Sequence, residues 1–269
     1  MAFGAGYDFL DLSRPSPGLL LITLNRPERL NAIDDRGHAE ILRVLIEIDE
    51  DPEVRAAVFT GAGRAFCAGG DISEPLPEGP AERSDALHRM YERNITTVNR
   101  LLMVRKPIVS AVNGVAVGAG LRLALLADIS VVASDAELID GHAPLGVTAG
   151  DHSALLWPLL CGMAKAKYYL LTSAPITGED ADRLGLVSMS VPADEVLERA
   201  LRIAEGLAAA PEYAVRGTKR VLNHWLRLAL PAYEHSAALE ALNFLHPDSA
   251  ERLAAARDRS TAASSEPLP

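Results

Sequence analysis

Short hydrophobic runs and longer stretches with helical spacing alternate along most of this chain. β-Branched runs typical of buried strands cover residues 18–24, 54–60, 107–112 and 129–133. An apolar stripe at Ile41, Leu42, Leu45 and Ile48 predicts an amphipathic helix after the first run. A short apolar helix is predicted over 119–127, so residues 107–133 read as strand, glycine-rich turn, helix and strand in one compact unit.

After residue 192 the pattern is helical. Apolar residues recur at helical spacing in two stripes, which are Val196, Leu197, Ala200, Ile203 and Leu207, and then Val215, Val221, Leu222, Leu226 and Leu230. Together the stripes exceed what one small sheet needs to cover it. They predict burial between subunits, and the alternative is a helical layer within one chain.

Two strand-to-turn junctions are rich in glycine. Gly114, Gly118 and Gly120 precede or open the predicted helix at 119, and residues 61–72 read GAGRAFCAGGDI. Peptide N–H groups at a helix start have no internal partner and stabilise a negatively charged oxygen. Two such turns are suited to place two N–H donors around one oxygen, as an enolate requires. Close packing of a helix on a sheet is the alternative explanation.

The composition of the chain argues against several classes of function. The 269 residues include 26 basic and 36 acidic ones, a net charge of −10, which does not favour nucleic-acid or anionic-membrane binding. The start lacks the basic and apolar segments of a secretory signal, and no run of about 18 apolar residues predicts a membrane span. Two cysteines without a CxxC motif or a Cys/His cluster predict a reduced, cytoplasmic protein without a metal ion.

Four motifs occur in the order typical of one known family. They are LNRPERLNAID at 24–34, AFCAGGDI at 65–72, KPIVSAVNGVAVGAGLRLALLADI at 106–129 and ITGEDADRLGLVSMSVP at 176–192. With these motifs the chain resembles the crotonase superfamily, the enoyl-CoA hydratase/isomerase family, over roughly residues 19–255.

The resemblance implies an α/β fold in which a crotonase-type spiral of ββα turns carries the active site, here residues 1–195. A helical C-terminal region, residues 196–260, is expected to drive trimers that often pair into hexamers. The polar segment 261–269 is expected to be a disordered tail.

The resemblance also implies an acyl-CoA thioester substrate, with coenzyme A as part of the substrate and no separate cofactor. The N–H groups of Gly70 and Ala119 match the donors that hold the thioester oxygen. Further positions expected to line the substrate and CoA groove are Glu28, Arg29, Leu30, Ala68, Gly69, Asp71, Ile72 and Gly118.

The family's catalytic glutamates are not conserved in this sequence. The two matching positions hold Arg122 and His142, so the usual hydratase mechanism with two carboxylates is not predicted. Arg122 is expected to contact an anionic substrate group or an internal carboxylate, and a purely structural role is the alternative.

His142 is followed nine residues later by Asp151. A histidine titrates near neutrality and can act as a general base, which a nearby carboxylate can orient. The pair resembles one in crotonase-fold enzymes that cleave β-diketones, where a C-terminal glutamate joins the site; Glu240 is the nearest candidate. The alternatives are an ordinary loop histidine and, for Asp151, the N-cap of a helix.

Three functions therefore remain open. The first is addition of water to a 2-enoyl-CoA, or a shift of its double bond, through an enolate. The second is hydrolysis of a carbon–carbon bond in a β-diketone, with His142 and Asp151 handling protons. The third is a protein that binds acyl-CoA without catalysis.

Overall fold

The computed structural model describes residues 6–73 and 75–265. Six strands form its larger sheet, in the order β1 (Leu10–Ser13), β2 (Leu19–Leu24), β3 (Ala56–Gly61), β5 (Ile108–Val112), β7 (Ile129–Ala133) and β10 (Met189–Val191). Only the β1–β2 pair of this described sheet is antiparallel. The smaller sheet contains β4 (Ala65–Cys67), β6 (Val115–Val117), β8 (Glu137–Ile139) and β9 (Ile176–Thr177), in that order.

Ten helices surround the two sheets in the described part of the chain. They are α1 (Asp35–Glu50), α2 (Pro80–Met103), α3 (Ala119–Leu126), α4 (Ser153–Leu160), α5 (Gly162–Thr172), α6 (Gly178–Arg183), α7 (Val196–Ala209), α8 (Glu212–Arg227), α9 (Leu230–Asn243) and α10 (Pro247–Ser265). Three 3-10 turns cover Pro27–Arg29, Ala143–Leu145 and Ala193–Glu195.

The order of the strands produces the expected spiral. The consecutive strands β3 and β4 enter different sheets, and so do β5 and β6, and β7 and β8. Each turn of the spiral therefore adds one strand to the larger sheet and one to the smaller sheet. The glycine-rich turns lie between the two strands of a unit, or directly after the second one, where the chain crosses between the sheets.

The four predicted strand runs are confirmed as β2, β3, β5 and β7. The strands of the smaller sheet and β1 were not predicted. A strand of two to four residues is too short to show an alternation, and its pairing comes from neighbours distant in sequence.

The two C-terminal stripes have different environments. Val196, Ala200 and Ala204 of α7 are fully buried, because this helix packs on β3, β5 and β7. In α8, by contrast, Val221 and Trp225 are mostly exposed. Val196 and Ala200 of the first stripe thus belong to a helical layer within one chain, although Leu197 of that stripe is exposed, and the second stripe leaves an apolar surface.

Helix α10 continues through Ser265, so the structure differs from the expected irregular tail at 261–265. The remaining part of that prediction, residues 266–269, lies outside the described residues. No helix within 6–73 or 75–265 is both long and apolar enough to cross a membrane.

Close backbone contact between α3 and β4 leads to a stability prediction. A Cβ at Gly120 would lie 2.4 Å from the carbonyl oxygen of Cys67 and 2.6 Å from its Cβ. We expect Gly120→Ala to lower the free energy of unfolding by about 1–3 kcal/mol, because the backbone must move to relieve the overlap. Chemical denaturation measures this change.

The matched control is Gly206→Ala in α7, where a Cβ would meet nothing within 4 Å. Alanine in this exposed helical position is expected to raise stability by up to about 1 kcal/mol. Equal stabilities of the Gly120 variant and the wild type would show that the two segments are not tightly packed.

Candidate active site

The first glycine turn follows β4 and is held by the segment at residues 31–33. Ile33 N–H donates to the Gly69 carbonyl at 2.8 Å, and Asp71 N–H donates to the Ile33 carbonyl at 2.9 Å. These bonds do not use the N–H of Gly70, which has no acceptor among the described residues. Gly70 is exposed, so its N–H is available to a ligand.

The side chain of Asn31 fixes the base of this turn. Its amide nitrogen donates to the carbonyls of Ala62 and Ala65, both at 2.9 Å, from a fully buried position. Asp71 closes the other side, because its carboxylate accepts from Arg26 at 2.8 Å. The turn is therefore rigid on both sides of Gly70.

The second turn enters α3 at Ala119. Gly118 adopts φ +46°, a conformation that favours glycine, and Ala119 is the first helical residue. The Ala119 N–H lacks an acceptor because it is among the first four of the helix. A Cβ at Gly69 would lie 3.0 Å from the Val117 carbonyl and 3.9 Å from the Ala119 nitrogen, so the two turns are in contact.

Arg122 lies one turn into α3 and is fully buried. It donates to the amide oxygen of Asn94 at 2.9 Å and lies 3.5 Å from Nδ1 of His38. Burial, reinforced by the Arg122 charge, holds the pKa of His38 well below its usual range, so this imidazole is neutral. Arg122 thus contacts neutral groups, not the expected internal carboxylate, and its cation acts on the nearby carboxylates through space.

His142 precedes the 3-10 turn Ala143–Leu145 and is almost fully buried. Its Nδ1 lies 2.9 Å from Oδ1 of Asp140. On the opposite edge of the ring, Nε2 lies 3.6 Å from Oδ1 of Asp151 and 3.5 Å from Oε1 of Glu240. The structure therefore brings together the three side chains that the sequence suggested for proton transfer.

The pKa values of His142, Asp151 and Glu240 are shifted in different directions. Burial disfavours a charged His142, but Asp151, Asp140 and Glu240 outweigh it and raise the pKa of the imidazole well above 6.5. His142 is consequently an imidazolium near neutral pH. This protonation state differs from the free general base that the sequence suggested.

The two carboxyl groups that face Nε2 also differ. Burial raises the pKa of Glu240, and the charge of Asp151 adds to that effect. Burial would raise the pKa of Asp151 too, but the neighbouring His152 and His142 lower it below its usual value. One carboxyl group is thus kept ionised, while the other retains its proton more readily, an arrangement typical of acid–base sites.

Glycine at position 150 allows α9 to reach the site. A Cβ at Gly150 would lie 2.4 Å from Oε2 of Glu240 and 2.6 Å from its Cβ. Among the described residues, Oε2 of Glu240 has no hydrogen-bond partner. Gly150 was not predicted as a site residue, because a close approach from another helix leaves no local signal in sequence.

The sequence analysis also did not identify the polar side chains that surround His142 and Asp151. Asp140 accepts from the hydroxyl of Ser153 at 2.6 Å as well as from His142. Asp151 accepts from Nδ1 of His152, which is the N-cap of α4 and makes no side-chain capping bond. The alternative of Asp151 as N-cap is therefore wrong.

Asp140, Asp151 and His152 bring possible metal-ligand atoms within 4.8 Å of one another. However, His152 uses one ring nitrogen for Asp151 and the other for Trp157, whose indole N–H lies 3.3 Å away. We interpret this cluster as a hydrogen-bond network that supports the active site.

The other predicted groove residues lie near the first turn. Glu28 and Arg29 are exposed on the 3-10 turn Pro27–Arg29, and the Leu30 carbonyl accepts from Ala68 N–H at 2.9 Å. Ile72 is half-buried directly after Asp71. Contact of these residues with a ligand stays a prediction.

A cleft of about 350 Å³ opens between α2 and α9. Its lining is mainly apolar and consists of Ser84, Leu87, His88, Tyr91, Ala238, Ala241, Leu242 and Leu245. Ala238 and Ala241 lie on either side of Glu240 in α9. The cleft therefore uses a face of α9 that differs from the buried face carrying Glu240.

Comparisons with known proteins point to one family. The family model described as enoyl-CoA hydratase/isomerase matches residues 14–255. The chain is 34% identical to the 1,2-epoxyphenylacetyl-CoA isomerase of Escherichia coli K12 over 215 residues, which are 79% of this chain and 81% of that protein. It is 32% identical to a probable peroxisomal enoyl-CoA hydratase of Arabidopsis thaliana over 87% of this chain and 84% of the relative.

Solved structures agree with these matches. A crystal structure of an enoyl-CoA hydratase/isomerase from Mycobacterium paratuberculosis superimposes with a TM-score of 0.85 at 36% identity, covering 93% of this chain and all of that chain. A monofunctional enoyl-CoA isomerase from M. smegmatis gives a TM-score of 0.69 at 31% identity, covering 81% of this chain and 94% of that chain.

Proposed function

Since the chain belongs to the enoyl-CoA hydratase/isomerase family of the crotonase superfamily, we propose that it moves protons on an enoyl-CoA thioester through an enolate. Coenzyme A enters as part of the substrate, and no further cofactor is required. The observation that carries the proposal is the position of His142, Asp151 and Glu240 behind two glycine turns with available N–H groups.

In this proposal the N–H groups of Gly70 and Ala119 hold the thioester oxygen. The contact between the two turns supports this role, since it brings both donors to one end of α3. Removal of a proton from C2 puts negative charge on that oxygen, and fixed donors stabilise the charge without reorganisation. Such donors typically contribute about 10²–10³ in rate each.

The pKa of Asp151 is lowered and that of Glu240 is raised. This difference supports a double-bond shift more than hydration. With a 3-enoyl-CoA, ionised Asp151 takes a proton from C2 and protonated Glu240 gives a proton to C4, which yields the 2-enoyl-CoA. The imidazolium of His142 then gives its Nε2 proton to Glu240 and takes the proton from Asp151, because Nε2 lies between their oxygens. Hydration of a 2-enoyl-CoA needs the two roles reversed, with Glu240 as the base for the attacking water and Asp151 as the acid.

Hydrolysis of a β-diketone is the second candidate. It is favoured by one observation, the free oxygen Oε2 of Glu240 beside a histidine, which suits a water that attacks a carbonyl. The same two N–H donors then stabilise the enolate that leaves. This reaction has no need of coenzyme A, which separates it from the first candidate.

The proposed catalytic roles predict the turnover of three variants that each remove one proton-transfer group. We expect Asp151→Asn, Glu240→Gln and His142→Gln each to lower turnover of 2- and 3-enoyl-CoA thioesters by about 10² or more, with acyl-CoA affinity within a few-fold. The absorbance of the conjugated thioester and the identity of the products measure the rates and distinguish a shifted double bond from a hydrated one.

The matched control is Glu234→Gln, an exposed glutamate on the same helix as Glu240, which should retain wild-type turnover. Rates near wild type in all three site variants would contradict the proton-transfer assignment. If the wild type turns over a β-diketone but no thioester, the second candidate replaces the first. Tight acyl-CoA binding without turnover of either class would indicate a binding protein.

We also propose that the cleft between α2 and α9 receives the acyl chain. Its apolar lining supports this role. Ala241→Phe should fill the cleft and lower kcat/KM for long-chain thioesters at least 10-fold relative to short-chain ones. Ala232→Phe, on an exposed position of the same helix, should leave the ratio unchanged, and an unchanged ratio in both variants would exclude the cleft.

We also propose that the chain forms homotrimers, which either stay single or pair into hexamers. Large apolar side chains exposed on one chain support it, among them Leu159, Met163, Leu171, Val221, Leu222 and Trp225. Light scattering should give three or six times the mass of one chain for the wild type and a smaller assembly for Trp225→Glu. Ile46→Glu on α1 is the control, and a wild-type monomer would contradict the proposal.

A further inference from the structure

His152 and Trp157 form a buried chain that ends at Asp151. The indole N–H of Trp157 lies 3.3 Å from Nε2 of His152, and Nδ1 of His152 contacts Oδ1 of Asp151. Both His152 and Trp157 are completely buried. Neither residue belongs to a predicted catalytic position, and neither contacts the cleft.

The direction of these hydrogen bonds follows from chemistry alone. An indole nitrogen donates and never accepts, so Nε2 of His152 must be the acceptor. The proton of the neutral ring then lies on Nδ1, which donates to Asp151. Trp157 thereby selects the tautomer of His152, and His152 in turn presents a donor to the carboxylate.

The two oxygens of Asp151 have separate surroundings. Oδ1 accepts from His152 and lies 3.6 Å from Nε2 of His142. Oδ2 faces the second glycine turn, since a Cβ at Gly118 would lie 3.6 Å from it. Ala119, whose N–H is assigned to the thioester oxygen, follows directly. In the proposed function, Oδ2 is therefore the oxygen that would face C2, the carbon atom that bears the thioester carbonyl.

We propose that His152, with its tautomer selected by Trp157, is a positioning residue that keeps Asp151 a proton acceptor and directs Oδ2 at C2 of the thioester. The inference rests on the proposed function for the identity of the substrate carbon. The donor chain itself depends only on the hydrogen bonds of the three side chains.

Other charges also face Asp151 and must be separated from the effect of His152. Arg122 approaches from α3 and His142 from the 3-10 turn, while Glu240 and Tyr233 approach from α9. Burial raises the pKa of Asp151, and the hydrogen bond from His152 is among the interactions that offset this effect of burial. Loss of its N–H should therefore raise the pKa of Asp151, while Arg122 and His142 remain in place.

Three variants distinguish positioning from simple packing. His152→Leu fills the space but removes the donor. His152→Asn keeps an N–H near the position of Nδ1. Trp157→Phe leaves the ring of His152 free to change its tautomer, and it serves as the second test if His152→Leu does not fold by circular dichroism.

The kinetic test is the pH profile of kcat/KM for the thioester that the wild type uses best. We expect His152→Leu and Trp157→Phe to lower kcat about 10- to 100-fold, part of the 10²–10⁴ that general acid–base catalysis supplies. Their KM should stay within about 3-fold, and the acidic limb of the profile should move to higher pH. His152→Asn should recover most of the rate and the wild-type limb.

Equal losses in His152→Leu and His152→Asn would overturn the proposal. So would an acidic limb that moves in neither His152→Leu nor Trp157→Phe. A purely structural role predicts these results, because packing defects do not depend on a retained N–H donor.

A measurement without turnover tests the same inference independently of the substrate. Aspartate labelled with ¹³C in its carboxyl group gives an NMR signal for Asp151, identified by its loss in Asp151→Asn. We expect this carboxylate to stay ionised in the wild type to lower pH than in His152→Leu. Identical titrations in both proteins would overturn the inference, whereas absence of turnover with every thioester would reject only the proposed function.

Discussion

Close backbone packing between the two glycine turns is the constraint on which the site depends. A Cβ at Gly61, Gly114 or Gly120 would lie between 2.1 and 2.4 Å from a backbone oxygen of the strand or turn beside it. Because these positions lack side chains, the larger and smaller sheets can meet where the chain crosses between them. The turn after β4 then touches the start of α3, where a Cβ at Gly69 would lie 3.9 Å from the Ala119 nitrogen.

A group of mutually compensating charges lies buried beneath those turns. Arg122 and the imidazolium of His142 are cations, and Asp140 and Asp151 accept hydrogen bonds from His142, Ser153 and His152. Isolated charges at such depth would be very costly, but pairing and hydrogen bonds offset much of the desolvation. The same compensation separates the pKa values of Asp151 and Glu240, which is what a proton-transfer site requires.

In the proposed function, the two carboxyl groups that transfer protons come from separate segments of the chain. Asp151 lies in the loop before α4 and Glu240 lies in α9, and both side chains face Nε2 of His142. In that proposal α9 contributes Glu240 to the active site, in addition to the apolar surface that the C-terminal helices expose. Gly150 is the local adaptation that permits it, because any side chain there would collide with Glu240.

By itself, the sequence determined the features that depend on neighbouring residues. The β-branched runs predicted β2, β3, β5 and β7, and the glycines and motifs predicted the two turns with Gly70 and Ala119 and the spiral fold. His142, Asp151 and Glu240 were named from the sequence as well, through the resemblance to a known family. These features leave a local signal because strand formation and glycine conformation are decided by a few consecutive residues.

Only the tertiary structure decided which groups meet and in which protonation state. The pairing of His142 with Asp140, the contact of Glu240 with Nε2 and the chain from Trp157 to Asp151 join segments or side chains that no spacing rule connects. Burial and neighbouring charges then made His142 an imidazolium instead of a free base. The smaller sheet likewise formed from strands too short to show a pattern, because its stability comes from pairing across the spiral.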